Sequence, residues 1–210
     1  MAYKNVKRVL DTIISIICLI IFAPLFFIVA IAIKLDSKGP VIYKQERLGL
    51  YGKTFKMYKF RSMFVGAEKG GVYEKKGDPR VTRVGRFIRK TSIDELPQLI
   101  NVLKGDMSLI GPRPPLPYHP WRYDEYTDDQ KIMFLVRPGI TGLAQINGRK
   151  ELEWRKRIAL NVEYVENLSF CLDLKIFLKT ITNVITMKNN INTGETVKKE
   201  KHIFDSNCYQ

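Results

Sequence analysis

Cysteine and histidine are scarce in this 210-residue chain, which has three cysteines (Cys18, Cys171, Cys208) and two histidines (His119, His202). No C-x-x-C pair occurs, which argues against a disulfide framework and against a zinc site of familiar spacing. Unpaired thiols suit a reducing compartment. Two histidines also leave little for a Ser-His triad or a histidine-based metal site. Acid is outnumbered: 21 Asp and Glu stand against 35 Lys and Arg, a formal net charge of +14. A chain this basic attracts phosphate, whether on lipid head groups, nucleotides or nucleic acid. Internal repeats and low-complexity segments are absent, which excludes a solenoid.

Charge is missing altogether from Thr12 to Ile33. This apolar run matches the length a helix needs to cross a bilayer core, about 20 residues. Pro24 lies near its middle, where it removes an intrahelical hydrogen bond and crowds the preceding turn, so a kink or break is expected there. Ser15 can back-bond to a nearby carbonyl. Lys4, Lys7 and Arg8 precede the run, and Lys34, Lys38, Lys44 and Arg47 follow it. Basic flanks belong on the cytoplasmic side. Three arrangements fit: a hairpin that enters and turns back, a kinked single span, and a signal peptide cleaved after Ala30-Ile31-Ala32. The hairpin keeps both basic flanks on one face. The signal peptide fares worst, because the apolar stretch exceeds the usual h-region of about 7–15 residues.

The rest, roughly 150 residues before a polar tail, suffices for one cored domain. Val41–Tyr43 and Phe55–Arg61 read as strands. Residues 66–80, rich in Gly, Lys and Glu, read as a mobile loop. A basic stretch from Arg80 to Lys90 leads into a helix at Ser92–Leu103 that Gly105 ends. Residues 111–120 carry five prolines and no regular structure. Asp124–Val136 reads as a helix, and Arg137–Gly142 as a turn. Trp154, Ile158, Val162 and Val165 recur at helical spacing over 151–166, as do Leu174, Phe177, Leu178, Ile181, Val184 and Ile185 over Leu172–Met187. The last helix fits either a core position or an interfacial one on an anionic membrane surface.

Chemistry concentrates at Asp94-Glu95. Ser92-Ile93-Asp94-Glu95 fits a capping box, and acids in a first helical turn are favoured by the helix dipole alone. The same end of a helix attracts phosphate, and a magnesium ion reconciles carboxylates with a pyrophosphate. An aspartate is also a competent nucleophile towards phosphorus. Arg80, Arg83, Arg86, Arg89, Arg113 and Arg137 surround this point in sequence. Gly111-Pro112-Arg113-Pro114 holds its arginine in a stiff turn suited to a phosphate clamp. Arg137-Pro138-Gly139 repeats the device. Gln145, Asn147 and Arg149 offer polar recognition groups beside a glycine turn, where ordinary turn chemistry is the plainer account. The basic-aromatic stretch from Lys53 to Arg61 suits single-stranded nucleic acid in principle. A half-buried strand is the commoner meaning, and an apolar anchor serves an RNA-binding module little.

In order along the chain stand Lys7-Arg8-Val9-Leu10-Asp11, Pro24, Tyr58-Lys59-Phe60-Arg61-Ser62-Met63, Asp94-Glu95-Leu96-Pro97-Gln98 and Asn101-Val102-Leu103-Lys104-Gly105-Asp106-Met107-Ser108. Gly111-Pro112-Arg113-Pro114, Val136-Arg137-Pro138-Gly139-Ile140-Thr141-Gly142 and Leu172-Asp173-Leu174-Lys175 follow. This ordered set resembles the small monotopic phosphoglycosyl transferases of the bacterial sugar transferase family, from residue 7 to about 188. The resemblance implies transfer of a sugar phosphate from a UDP-sugar to polyprenol (undecaprenyl) phosphate with release of UMP, in ping-pong fashion. Asp94 becomes the nucleophile that forms a covalent phosphosugar, and Glu95 helps hold Mg2+ and the phosphates. Lys59, Arg61, Arg89, Arg113, Arg137, Gln145 and Asn147 become binding residues. The implied anchor is a re-entrant helix broken at a small-residue–proline pair, here Ala23-Pro24.

The expected architecture is mostly α within an α+β class. Residues 1–36 form the re-entrant helix broken at Pro24. Residues 37–188 form a cytosolic catalytic domain with amphipathic interfacial helices, and 189–210 a polar tail. Relatives with extra spanning helices make this chain look like the minimal catalytic form. Its expected place is the cytoplasmic face of a bacterial cell membrane, upstream of further glycosyltransferases and without nucleic acid. A catalytically silent, membrane-anchored binding protein of the same fold is the alternative. The particular sugar and the glycan pathway, such as capsule or exopolysaccharide, are not encoded in these motifs.

Overall fold

In the computed structural model, which describes residues 2–71, 77–148 and 153–186, the apolar run is the centre of one helix, α1 (Ala2–Asp36). Its 35 residues reach about 52 Å at 1.5 Å per residue. Pro24 sits inside it without interrupting it. The expected break is therefore corrected to an uninterrupted helix, because a proline forfeits only one N–H bond and its neighbours keep theirs. The expected Ser15 back-bond is absent as well, since among the described residues its buried hydroxyl has no partner. Thr12 makes such a bond instead, to the Arg8 carbonyl. Of the described residues, this is the one helix long and apolar enough to cross a membrane.

Both ends of α1 dock on the same globular body. At the N-terminal end, Tyr3 Oη and Lys7 Nζ donate to Asp173 Oδ2 at 2.6 and 2.7 Å. Arg8 donates to the carbonyls of Val102 and Leu103, and Asp11 accepts from Ser108 Oγ. At the other end, Val29 and Ile33 bury themselves with Phe60 and Ile88, and Asp36 accepts from the Val84 amide. Between these clasps Ile16, Ile17, Ile20, Ile21, Phe27 and Ile28 remain exposed.

The strands β1 (Ile42–Leu48) and β2 (Thr54–Phe60) form an antiparallel hairpin with Ile42 opposite Phe60 and Leu48 opposite Thr54. After them come α2 (Arg83–Lys90) and α3 (Gln98–Lys104). Gly105 ends α3 at φ 89, a left-handed value that favours glycine. Asn101, fully buried, extends the edge of β2: its side chain accepts from the Tyr58 amide and donates to the Lys56 carbonyl. A short parallel pair then joins β3 (Ser108–Ile110) to β4 (Gly139–Thr141). Residues 139–141 were expected as part of a turn. Three-residue strands are too short to show a period, and their pairing is long-range.

The helix expected at 124–136 is three pieces: 3-10 turns at Tyr123–Glu125 and Ile132–Phe134 flank α4 (Asp128–Lys131). Tyr126, Met133 and Phe134 from this stretch fill one core with Leu48 and Ile158. α5 (Leu143–Ile146), α6 (Trp154–Glu166) and α7 (Phe170–Ile185) complete the fold. In α7 only Asp173 and Ile176 are buried, while Leu174, Phe177, Leu178, Ile181 and Ile185 are exposed. The face expected to be core or interface is thus open. The tail from 187, with His202 and Cys208, and Arg149 lie outside the described residues, as does 72–76 within the expected mobile loop.

Candidate active site

A 3-10 turn, Ile93–Glu95, carries the two carboxylates between α2 and α3. Ser92 precedes it at φ 60 and makes no side-chain cap bond. The expected capping box is therefore not formed. An N-cap residue needs extended backbone, and Ser92 is in the left-handed region. The helix starts instead at Gln98, with Pro97 in the cap position. This detaches both acids from the helix and leaves them on a turn of their own.

Asp94 is buried at 8% exposure, yet among the described residues its carboxylate accepts no hydrogen bond and makes no ion pair. Burial raises its pKa above the ordinary carboxylate range, and the charge of Glu95 adds to this. Lys59, Arg89 and Arg113 oppose the rise, Lys59 most strongly. Glu95 is the reverse. Its Oε1 accepts from Lys59 Nζ at 2.8 Å and from Arg113 Nη2 at 2.9 Å. Burial alone raises its pKa, but Arg113 and Lys59 together hold it well below the usual glutamate value.

Each cation arrives on a different element. Lys59 is the penultimate residue of β2 and Arg89 that of α2. Arg113 stands in the proline-bounded turn after β3. That turn is pinned by bonds from Gly111 N to the Thr141 carbonyl and from Gly139 N to the Pro112 carbonyl. The two segments approach so closely that a Cβ on Gly139 would meet Gly111 N at 2.1 Å, so glycine is required there. From the other side, Leu48 N donates to the Pro115 carbonyl and Arg47 Nη1 to that of Pro114. Arg47 is a component that the sequence did not single out. Burial, with Arg113 nearby, pushes its pKa down to about 10. Within a basic flank nothing marked it; only the register of β1 against β2 shows it.

The other expected binding residues lie elsewhere. Arg61 is buried with its guanidinium on the carbonyls of Ser37 and Lys38, just past the end of α1. Arg137 Nε donates to the Gly105 carbonyl, at the end of α3 away from the carboxylates. Gln145 is buried and, among the described residues, neither end of its amide has a partner. Asn147 is exposed and donates to the Leu143 carbonyl, which is ordinary turn chemistry. Arg80 staples its own loop through Asp78 and the carbonyls of Ala67 and Gly71. Arg83 and Arg86 are exposed on α2, and Ala23 and Pro24 are exposed along α1.

The donor set fits magnesium. Asp94 offers both oxygens and Glu95 its Oε2, all hard oxygen donors. No group of three or more His, Cys, Asp or Glu ligands assembles among the described residues. That suits an ion held by one or two carboxylates and completed by water and substrate phosphates.

The family described as bacterial sugar transferase matches residues 2–187. The UDP-glucose:undecaprenyl-phosphate glucose-1-phosphate transferase of Caulobacter vibrioides is 44% identical over 190 residues, which cover 87% of this chain and 71% of that one. An uncharacterized sugar transferase of Bacillus subtilis is 48% identical over 201 residues, 94% of this chain and 92% of that one. The UDP-N-acetylgalactosamine-undecaprenyl-phosphate N-acetylgalactosaminephosphotransferase of Aeromonas hydrophila is 43% identical over 188 residues, 88% of this chain. This chain spans only 44% of that relative's length.

Proposed function

We propose that this chain, which belongs to the bacterial sugar transferase family, transfers a sugar 1-phosphate from a UDP-sugar to a polyprenol phosphate and releases UMP. One observation carries the reading: the buried Asp94 carboxylate, unpartnered among the described residues, faces three cations. A buried acid without a hydrogen-bond partner is costly unless it has chemistry to do. The names of the relatives supply the substrate class. They differ in their sugars at nearly equal identity, glucose at 44% and N-acetylgalactosamine at 43%. Overall similarity therefore does not choose the sugar.

In this mechanism Asp94 attacks the β-phosphorus of the UDP-sugar. The bond from that phosphorus to the bridging oxygen breaks and UMP leaves. A phosphate oxygen of the polyprenol phosphate then attacks the same phosphorus and frees Asp94 as a carboxylate. Two displacements give ping-pong kinetics. Lys59, Arg89 and Arg113 keep Asp94 ionised despite burial and offset the phosphate charge. Glu95 holds Lys59 and Arg113 in place. Asp94 and Glu95 are the residues that would hold a magnesium ion, which would further neutralise the diphosphate.

The anchor reading follows from the two clasps. A body that holds both ends of α1 lies on one side of the membrane, so the apolar middle enters from that side without crossing, as one unbroken helix in which Pro24 permits a bend. The same side is the cytoplasmic one, where UDP-sugars are found and basic flanks belong. Exposed apolar residues of α7 lie on that surface. Residues 37–188 form the catalytic domain and the product feeds downstream glycosyltransferases.

The test is release of UMP by detergent-purified protein supplied with magnesium, a panel of UDP-sugars and polyprenol phosphate. Full activity in Asp94→Asn overturns the mechanism. Single cysteines at positions 4 and 44 should both label from the cytoplasmic side; opposite sides refute this one-sided seating.

A further inference from the structure

Arg61 presents an unusual economy of charge. It is 4% exposed, and among the described residues it has no carboxylate within ion-pair distance. Its two terminal nitrogens donate to the carbonyls of Ser37 and Lys38, and among the described residues its Nε has no partner. A buried cation without an anion is costly. Here the opposing partial charge is that of the Ser37 and Lys38 carbonyls, just past the last residue of α1, Asp36. The fit is specific. Gly39, at φ 126, has no Cβ; one there would meet Arg61 Nη1 at 2.5 Å and Val65 Cγ2 at 2.6 Å.

Around this contact three elements converge. Asp36 of α1 accepts from Val84 N in the first turn of α2. Arg61 N donates to the Val41 carbonyl, which continues the hairpin beyond Phe60. A Cβ on Gly85 of α2 would lie 2.0 Å from the Ser62 carbonyl, so helix and strand end are in backbone contact. Phe60 and Ile88 share a core with Val29 and Ile33. The same two elements carry Lys59 and Arg89, the first and second cations acting on Asp94.

We infer that Arg61 is a positioning residue: by clasping the end of the membrane helix it sets where Lys59 stands against Glu95 and Asp94. This inference rests on the reading of Asp94 as nucleophile for its catalytic consequence, though not for its geometric one. The seating of the anchor is in this way transmitted to the placement of Lys59 in the site.

The test follows Lys59 directly. In detergent-purified protein, acylation of the Lys59 amine by a water-soluble amine reagent, read by peptide mass spectrometry, should be slow while Glu95 holds it. In Arg61→Gln it should speed up roughly tenfold, the least expected for loss of one charge-assisted hydrogen bond. Arg61→Lys, which keeps the charge at the helix end, should restore most of the protection. UMP release should slow in Arg61→Gln, as in Lys59→Gln. The double variant should shift turnover no further than Lys59→Gln alone. If Arg61→Gln does not fold, Gly39→Ala, which drives a methyl into the guanidinium, takes its place with the same expectations. Unchanged Lys59 reactivity in a folded variant overturns the inference, as does a double variant whose shifts add. Should the wild type release no UMP from any UDP-sugar while Arg61→Gln exposes Lys59 as expected, the functional reading fails and the positioning role stands.

Discussion

Asp94 and Glu95 are consecutive residues on one turn, yet the regions around them are built to opposite ends. Around Glu95 the protein supplies two cations on a single oxygen, at 2.8 and 2.9 Å. Around Asp94 it supplies burial and cations at a distance but no bond among the described residues. The first arrangement stabilises a charge and uses it to fix two side chains. The second stores unfavourable solvation in a group whose lone pairs stay available. A structural acid and a reactive one thus differ in what is withheld from the reactive one.

The sharpest way to break this comparison is Asp94→Asn. UMP release should fall about 10⁴-fold or more, the scale on which removal of a covalent nucleophile acts. The same variant should melt at an equal or higher temperature than the wild type, because it removes a buried, unpaired charge. Glu95→Gln should do the reverse in stability. It strands Lys59 and Arg113 and should cost about 1–3 kcal/mol, seen as a lower melting temperature, with a loss in turnover of about 100-fold. Melting curves of opposite sign for neighbouring substitutions are the signature; shifts of the same sign would undo the contrast.

A pH series separates the two groups next. The folded pKa of Glu95 is depressed, so its contribution to stability is present above the ordinary glutamate value and lost as pH falls through the folded one. The melting-temperature gap between wild type and Glu95→Gln should therefore be widest near neutrality and close on acidification. The folded pKa of Asp94 is raised, so its ionisation costs stability above the ordinary aspartate value. Activity needs that ionised form, so the acid limb of turnover should lie above about pH 4, the range of a free aspartate. Lys59→Gln should push the limb higher still. The smallest effect is expected from Arg113→Lys. It keeps the charge but loses the planar fork, and turnover should drop about tenfold while the melting temperature barely moves.

Much of the site was legible because its residues are marked by chemistry and spacing that survive folding. Asp94, Glu95, Lys59, Arg89 and Arg113 do converge. What escaped did so for geometric reasons. Lys59 and Arg61 are two apart, which in a continuing strand places both on one face. β2 ends at Phe60, and the Arg61 guanidinium just beyond it reaches the Ser37 and Lys38 carbonyls instead. Ser92 had the right identity for a cap, but its φ of 60 put it in the wrong backbone region. Arg137 shared the proline-glycine setting of Arg113, yet it reaches the end of α3 instead. The paired three-residue strands β3 and β4 depend on contacts some thirty residues apart, which no local pattern carries. The resemblance motifs at the two ends of the chain had no assigned task. Lys7, Asp11 and Asp173 turn out to seat the anchor.

The two clasps on α1 bear on how the enzyme meets membranes of different thickness. A helix that crosses a bilayer must match its hydrocarbon depth or tilt, thin or thicken what surrounds it. A helix held at both ends by one body has no far side to match. Under the proposed one-sided seating, the height of Asp94 above the lipid phosphates is set by Tyr3, Lys7 and Asp36 at the protein's own edge rather than by acyl-chain length. The catalyst then carries its own depth gauge, and a carrier phosphate arriving in thick or thin membrane finds the nucleophile at the same level.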